Sequence, residues 1–357
     1  MDSRAQTVVK ISSPADIVGV VPFRVGFHPT ESIVLLCLQG SRRRDRLVLR
    51  QDLVDAADEP ALAADLVERV ALIGADEALL ICYTADADPE PGCADASARL
   101  ARGRLVEAVR TGLRGRDIAV PEALLVRDRR WWSYLCGDPD CCPAEGTPLP
   151  EGLTPAAGRL AAAAVADGQA VLADRDELAR SILPARNPVA REVRGQAVRA
   201  AMAWHDDMIG RGGTALARRS TVALVRNLLD RWSTGSRELS ADQAARVVVG
   251  LEHRPTRDEV GTLLLESDRG VFLALLVALT RHVDGSLAAP LCSVLAWVAH
   301  ANGDGALANV AVERALRAQP GYELALLIEE GLDRMLTPAE VRRLTRCVRD
   351  EMRVRSA

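Results

Sequence analysis

Aromatic side chains are scarce in this 357-residue chain: three phenylalanines, three tyrosines and five tryptophans, 3% of the whole. Its core must therefore come from Val, Leu, Ile and Ala, with few large anchors. Lysine is nearly missing, since Lys10 is the one lysine among 45 basic residues. Together with the abundance of Ala, Val and Leu, that reads as GC-rich codon usage rather than as a functional surface. A surplus of charge is missing too. The net charge is −4, and residues 1–150 hold 18 basic and 23 acidic residues against 27 and 26 in the remainder. No basic half is hidden in the average, so neither nucleic acid nor an acidic membrane surface is expected as a partner. The longest apolar run, around Val271–Leu279, is too short to span a bilayer. The N-terminus "MDSRAQTVVK" shows no signal-peptide pattern. The expected compartment is cytoplasmic, where eight cysteines would stay reduced rather than form a disulfide framework. A hydrophobic content of 48% with 26% charged residues is that of a folded chain long enough for two domains.

The two halves have different periods. Residues 1–145 alternate short β-rich runs with helical patterns. "TVVKIS", "SIVLLCL", "DRLVLRQDL" and "ALLICY" read as strands, with Arg42–Arg44 in a connection. Ser13-Pro14-Ala15-Asp16 is a helix start, in which Ser caps, Pro fits the first turn and Asp suits the dipole. Helices are expected over Ala61–Ile73 and Ala96–Leu113, and "IAVPEALLV" and "RWWSYL" as paired strands joined near Arg127–Arg129. This alternation predicts an α/β domain with a mixed sheet. Residues 146–155 are rich in Pro and Gly and are expected as a linker.

Residues 156–357 read as an all-α domain of eight to ten helices. Ser240…Gln243 and Thr256…Glu259 have capping-box spacing, and Thr154-Pro155 and Thr337-Pro338-Ala339-Glu340 repeat the cap-then-proline start. Val225, Leu228, Leu229 and Trp232 form one apolar stripe. In "LCSVLAWVAHANGDGALANVAVERALRAQP" the turn is Gly303-Asp304-Gly305. Leu295, Ala296, Ala308, Val312, Ala315 and Pro320 fall at tetratricopeptide-like spacings, which an ordinary helical hairpin also satisfies. Gly210–Thr214, "GRGGT", precedes a helical pattern, but no strand comes before it and the phosphate-loop lysine is missing.

The densest chemistry lies in "RRWWSYLCGDPDCCP", Arg129–Pro143. On a strand, Trp131 and Trp132 point to opposite faces and should differ in burial. Arg129 and Arg130 offer planar donors to a carboxylate or phosphate. Cys136, Cys141 and Cys142 make a C-x4-C-C pattern. Zinc sites usually pair cysteines two to four residues apart and draw further ligands from elsewhere, here His28 or Cys93. Neighbouring Cys141 and Cys142 rarely both reach one ion, so two thiolates are expected to converge and stoichiometric zinc is not. A metal site, a redox thiol pair and inert structural thiols all remain open. In "GFHPTES", His28, Glu31 and Ser32 could form an acid–base set at a strand end, or simply a cap and turn.

Three blocks, "VVPFRVGFHPTESIVLLCL", "RRWWSYLCGDPDCCPAEGTPL" and "LAWVAHANGDGALANVAVERALRAQPGYELALL", resemble the actinobacterial family grouped as domain of unknown function 4192. They come from the start, middle and end, so the resemblance covers nearly the whole chain. It implies a cytosolic bacterial protein and carries over no catalytic residue and no cofactor. The expected function is an interaction or regulatory protein, with the helical half binding a protein partner and the α/β half sensing a small-molecule ligand. The alternatives are an enzyme with a small-molecule site at the domain junction, and a metal or thiol switch at Cys136–Cys142.

Overall fold

The computed structural model describes residues 10–40, 44–89, 99–166 and 170–356. They divide into two compact units, Met1–Arg175 and Asp176–Ala357. The expected linker 146–155 falls inside the first unit.

The first unit is built on a six-stranded mixed sheet. Its strands are β1 (Ser32–Gln39), β2 (Arg44–Asp52), β3 (Glu77–Tyr83), β4 (Ala119–Arg127), β5 (Arg130–Ser133) and β6 (Thr147–Pro148). Their order is β2-β1-β3-β4-β5-β6. Only β3 and β4 run parallel, and the helical crossover between them explains why. Residues 32–38 of β1 are buried without alternation, so helices cover both faces of the sheet. The helices are α1 (Pro14–Val25), α2 (Glu59–Ile73), α3 (Gly103–Arg114) and α4 (Pro155–Ala166). Ser13 caps α1 as expected, accepting a hydrogen bond from the Asp16 amide, and Gly26 ends it in a left-handed conformation. Helix α1 packs on α4, where Gly19 lies against Thr154 and Ala157. Leu172 pairs with Phe27 and exchanges backbone hydrogen bonds with Gly26 and His28. These contacts hold the chain past 155 to the first unit.

Two expectations shift. Helix α3 starts at Gly103 rather than Ala96, because Arg102 adopts a left-handed conformation, φ 58°. Its guanidinium bridges Glu59 and Asp86. The strand expected over "TVVKIS" falls largely outside the described residues, and Lys10–Ser12 are not in a strand. Arg42, Arg43 and Cys93 also lie outside them.

The second unit is helical. It contains α5 (Arg175–Ser181), which begins at the boundary, α6 (Pro188–Ser233), α7 (Ala241–Gly250), α8 (Arg254–Thr262), α9 (Arg269–Thr280), α10 (Ala288–Asn302), α11 (Gly305–Ala318), α12 (Glu323–Asp333) and α13 (Pro338–Ser356). The expected stripe Val225, Leu228, Leu229 and Trp232 is buried, and so are both sides of the α10–α11 hairpin, including Leu295, Ala308, Val312 and Ala315. Gly303 turns the chain in a left-handed conformation, and Asp304 caps α11 through the Leu307 amide. The buried Arg314 donates to the carbonyls of Ile182, Thr280 and Val283. It thereby satisfies helix-end acceptors that water cannot reach.

Here too the sequence expectation is refined. Ser240 and Gln243 form their capping box, and Thr337 and Glu340 bond reciprocally. Thr256 does not cap α8; His253 stands at the N-cap, and its ring bonds the Thr256 hydroxyl. "GRGGT" falls at a break in α6, where Gly212 and Gly213 leave helical geometry between one helical span and the next.

Candidate functional site

Strands β4 and β5 form a hairpin whose two turn residues, Asp128 and Arg129, have φ of 49° and 58°. Paired left-handed residues match the right-handed twist of the flanking strands. The register is Val126↔Trp131, Leu125↔Trp132 and Leu124↔Ser133. After Ser133 the chain leaves the sheet and returns as β6, pairing Thr147 with Trp131. The cysteines lie on the loop between.

That loop is held by hydrogen bonds at almost every step. The Ser133 hydroxyl donates to Glu122 and accepts from the amides of Leu135 and Cys136. Arg99 donates to the carbonyls of Ser133 and Cys136. The Asp138 carbonyl accepts from the amides of both Cys141 and Cys142, at 3.2 and 2.7 Å. Arg130 donates to the carbonyls of Glu145 and Gly146, and Arg129 to that of Pro150. The two arginines expected to face a ligand thus bind their own loop.

Within this frame the sulfurs of Cys136, Cys141 and Cys142 all lie within 4.8 Å of one another. The expectation that only two thiolates converge is corrected here. It held that adjacent cysteines rarely both reach one ion. Residues 138–142 instead form a tight turn closed on the Asp138 carbonyl, so Cys141 and Cys142 both reach the side where Cys136 sits. Cys141 is exposed, and the other two are half-buried. The Cys136 thiol is held below its ordinary pKa by the Asp138 amide and by the Cys142 and Cys141 thiols. Cys142 is pushed up to about 12, first by burial and then by its two neighbours. The site therefore pairs one acidified sulfur with one that keeps its proton.

Among the described residues no His, Asp or Glu joins this group. Thiolate–zinc bonds of about 2.3 Å place tetrahedral sulfurs about 3.8 Å apart and trigonal ones about 4.0 Å apart. The observed spread is close enough for a small contraction to seat such an ion.

Trp132 buttresses the loop. Its indole N–H donates to the Ala144 carbonyl at 2.9 Å, and the Arg127 guanidinium lies 5.0 Å from its ring centroid. Tyr134, on the same face, donates to the Ala101 carbonyl and packs with Leu100 and Leu125. Both tryptophans are half-buried and, as neighbours on β5, point to opposite faces, so neither is sealed in the core. A hollow of about 30 Å³ beside the segment, lined by Arg99, Leu100, Glu107, Arg110, Tyr134 and Leu135, has room for a water and not for a substrate.

The other expected residues do not gather here. Ser32, Tyr83, Val126 and Trp131 occupy one row across four strands, which sets Ser32 about 14 Å from Trp131. His28 and Glu31 are exposed. The Glu31 carboxylate accepts from the Thr84 hydroxyl and the Ala85 amide. The buried Ser32 hydroxyl has no hydrogen-bond partner among the described residues.

No helix among the described residues is long and apolar enough to cross a membrane. Residues 14–339 match the family model described as Domain of unknown function (DUF4192). No curated protein and no solved structure matches the chain.

Proposed function

The chain belongs to the family grouped as domain of unknown function 4192, and from that premise we propose that it is a cytosolic regulatory protein that binds one thiophilic metal ion, zinc or copper(I), through Cys136, Cys141 and Cys142. The supporting observation is the convergence of three sulfurs within 4.8 Å on a loop whose backbone is already hydrogen-bonded. Such a loop loses little further freedom on binding. Three thiolates with no fourth ligand among the described residues suit an ion that accepts three-fold sulfur coordination, or one that keeps a position open for a further donor. The unequal thiols favour a linked second role. The acidified Cys136 is the sulfur on which an oxidant would act first, and Cys141 or Cys142 is near enough to close a disulfide that would displace the ion.

The test is anaerobic titration of the reduced chain with zinc and, separately, with copper(I), each followed by metal analysis and competition with a chromophoric chelator. One ion per chain is expected for at least one of the two, lost in Cys136→Ser and in Cys142→Ser. Cys142 must surrender its proton to bind, so affinity should rise with pH, by up to about ten-fold per unit for each proton released. Failure of both metals to reach stoichiometry, with all three thiols open to alkylation, would remove the proposal.

A further inference from the structure

The outer faces of α12 and α13 expose leucine and valine among charged residues, which are mainly acidic on α12 and mainly basic on α13. Five of the thirteen large hydrophobic side chains exposed among the described residues lie on these two helices: Leu326, Leu327, Leu344, Val348 and Val354. The inner faces are already used. Ala325 and Ile328 of α12 are buried, as are Val341 and Thr345 of α13. The Thr345 hydroxyl also accepts a hydrogen bond from the Trp297 indole. Helix α12 packs on α10 and α11, and α13 on α8 and α10.

The charges beside these residues differ by helix. Helix α12 carries Glu323, Glu329, Glu330 and Asp333 and no basic residue; within the chain Arg254 pairs with Glu323, and Arg334, just past the helix, pairs with Glu330. One turn separates Leu326 and Leu327 from Glu330, on the same face. Helix α13 carries six arginines against three acidic residues. Arg343 and Arg346 are exposed beside Leu344, Cys347 and Val348. One strip is apolar with an acidic margin, and the other is apolar with a basic margin.

We propose that these strips bind a second copy of this chain, the α12 strip of one copy lying against the α13 strip of the other. Each copy carries both halves of the match, so no other protein is needed to complete it. Charge steers the approach and sets the pairing, and burial of the leucines and valines holds it. This inference does not depend on the thiol site.

The experiment is sedimentation of the full chain across a wide concentration range, in low and in high salt. Self-association is expected, and weaker in high salt because exposed charges are screened. The double variants Arg343→Glu/Arg346→Glu and Glu329→Arg/Glu330→Arg should each be monomeric, since each leaves two strips of like charge. Mixed together they should form a one-to-one complex, because the reversals complement each other. Cys347, exposed in the same strip, supplies a readout in the unmodified chain, where its alkylation should slow as concentration rises. The proposal is overturned by a wild-type chain that stays monomeric throughout, by assembly that survives both reversals, or by reversed variants that fold and do not combine.

Discussion

A Cβ atom at Gly146 would lie 2.4 Å from the Trp132 ring, and the residue's φ is 77°. Both facts require glycine there, because no side chain fits and L-residues avoid that dihedral. Gly146→Ala should therefore cost about 1–3 kcal/mol, read as a lowered urea midpoint. An unchanged midpoint would mean that the indole swings aside freely. The sequence announced the tryptophans and their opposite faces through simple alternation. It did not announce that both would be half-buried. That depends on β5 having four residues beside a two-residue edge strand, too little sheet to cover either face fully. The convergence of the three sulfurs was hidden for a similar reason. Spacing alone treats Cys141 and Cys142 as rivals, and only the turn closed on the Asp138 carbonyl makes them allies.

Secondary-structure elements were more legible, because local chemistry specifies their ends. Ser13, Ser240 and Thr337 act at the helix starts where their spacing placed them. The failures come where a distant contact overrides local preference. Arg102 breaks the expected start of α3 because it reaches Glu59 and Asp86. The α10–α11 hairpin was readable from its small residues and its glycine turn. Ala308 is fully buried in it, so Ala308→Leu should overpack the crossing by about 1–3 kcal/mol. A melting temperature equal to that of the wild type would contradict this packing. Gly250 plays a comparable part where α7 crosses α6, since its Cβ would meet the Thr221 hydroxyl at 2.3 Å. Nothing in the sequence around Gly250 signals that approach, because the partner lies 29 residues away.

At the scale of the molecule, the order of an α/β region followed by a helical one was readable from the change of period. The extent of the first unit was not. Prolines and glycines at 146–155 suggest a joint, yet the pairing of β6 and the docking of α4 on α1 keep that stretch within the first unit. The helical unit also carries a pH response. Burial lowers the pKa of His253, His282 and His300. Each is then readily protonated only in the unfolded chain once pH falls below the ordinary histidine range, so acid favours unfolding. The urea midpoint followed by helical circular dichroism should fall between about pH 7.5 and about pH 5.5. His300→Gln, which keeps a donor for the Leu336 carbonyl, should flatten part of that slope. A midpoint independent of pH would refute the account.

The break in α6 has a consequence of length. Run straight, its 46 residues would reach about 69 Å. A globule of the second unit's 182 residues has a radius of gyration of about 16 Å. An unbroken rod would overrun such a body and leave an arm in search of another. Gly213, with φ 70° and ψ −177°, adopts a conformation open essentially to glycine alone and divides the rod into two spans. The first lies with Ala201 against Ala245 and Val249, and the second runs through the core from Val222 to Trp232. Two adjacent glycines thus let one run of helical residues serve two separate packing layers of the same unit.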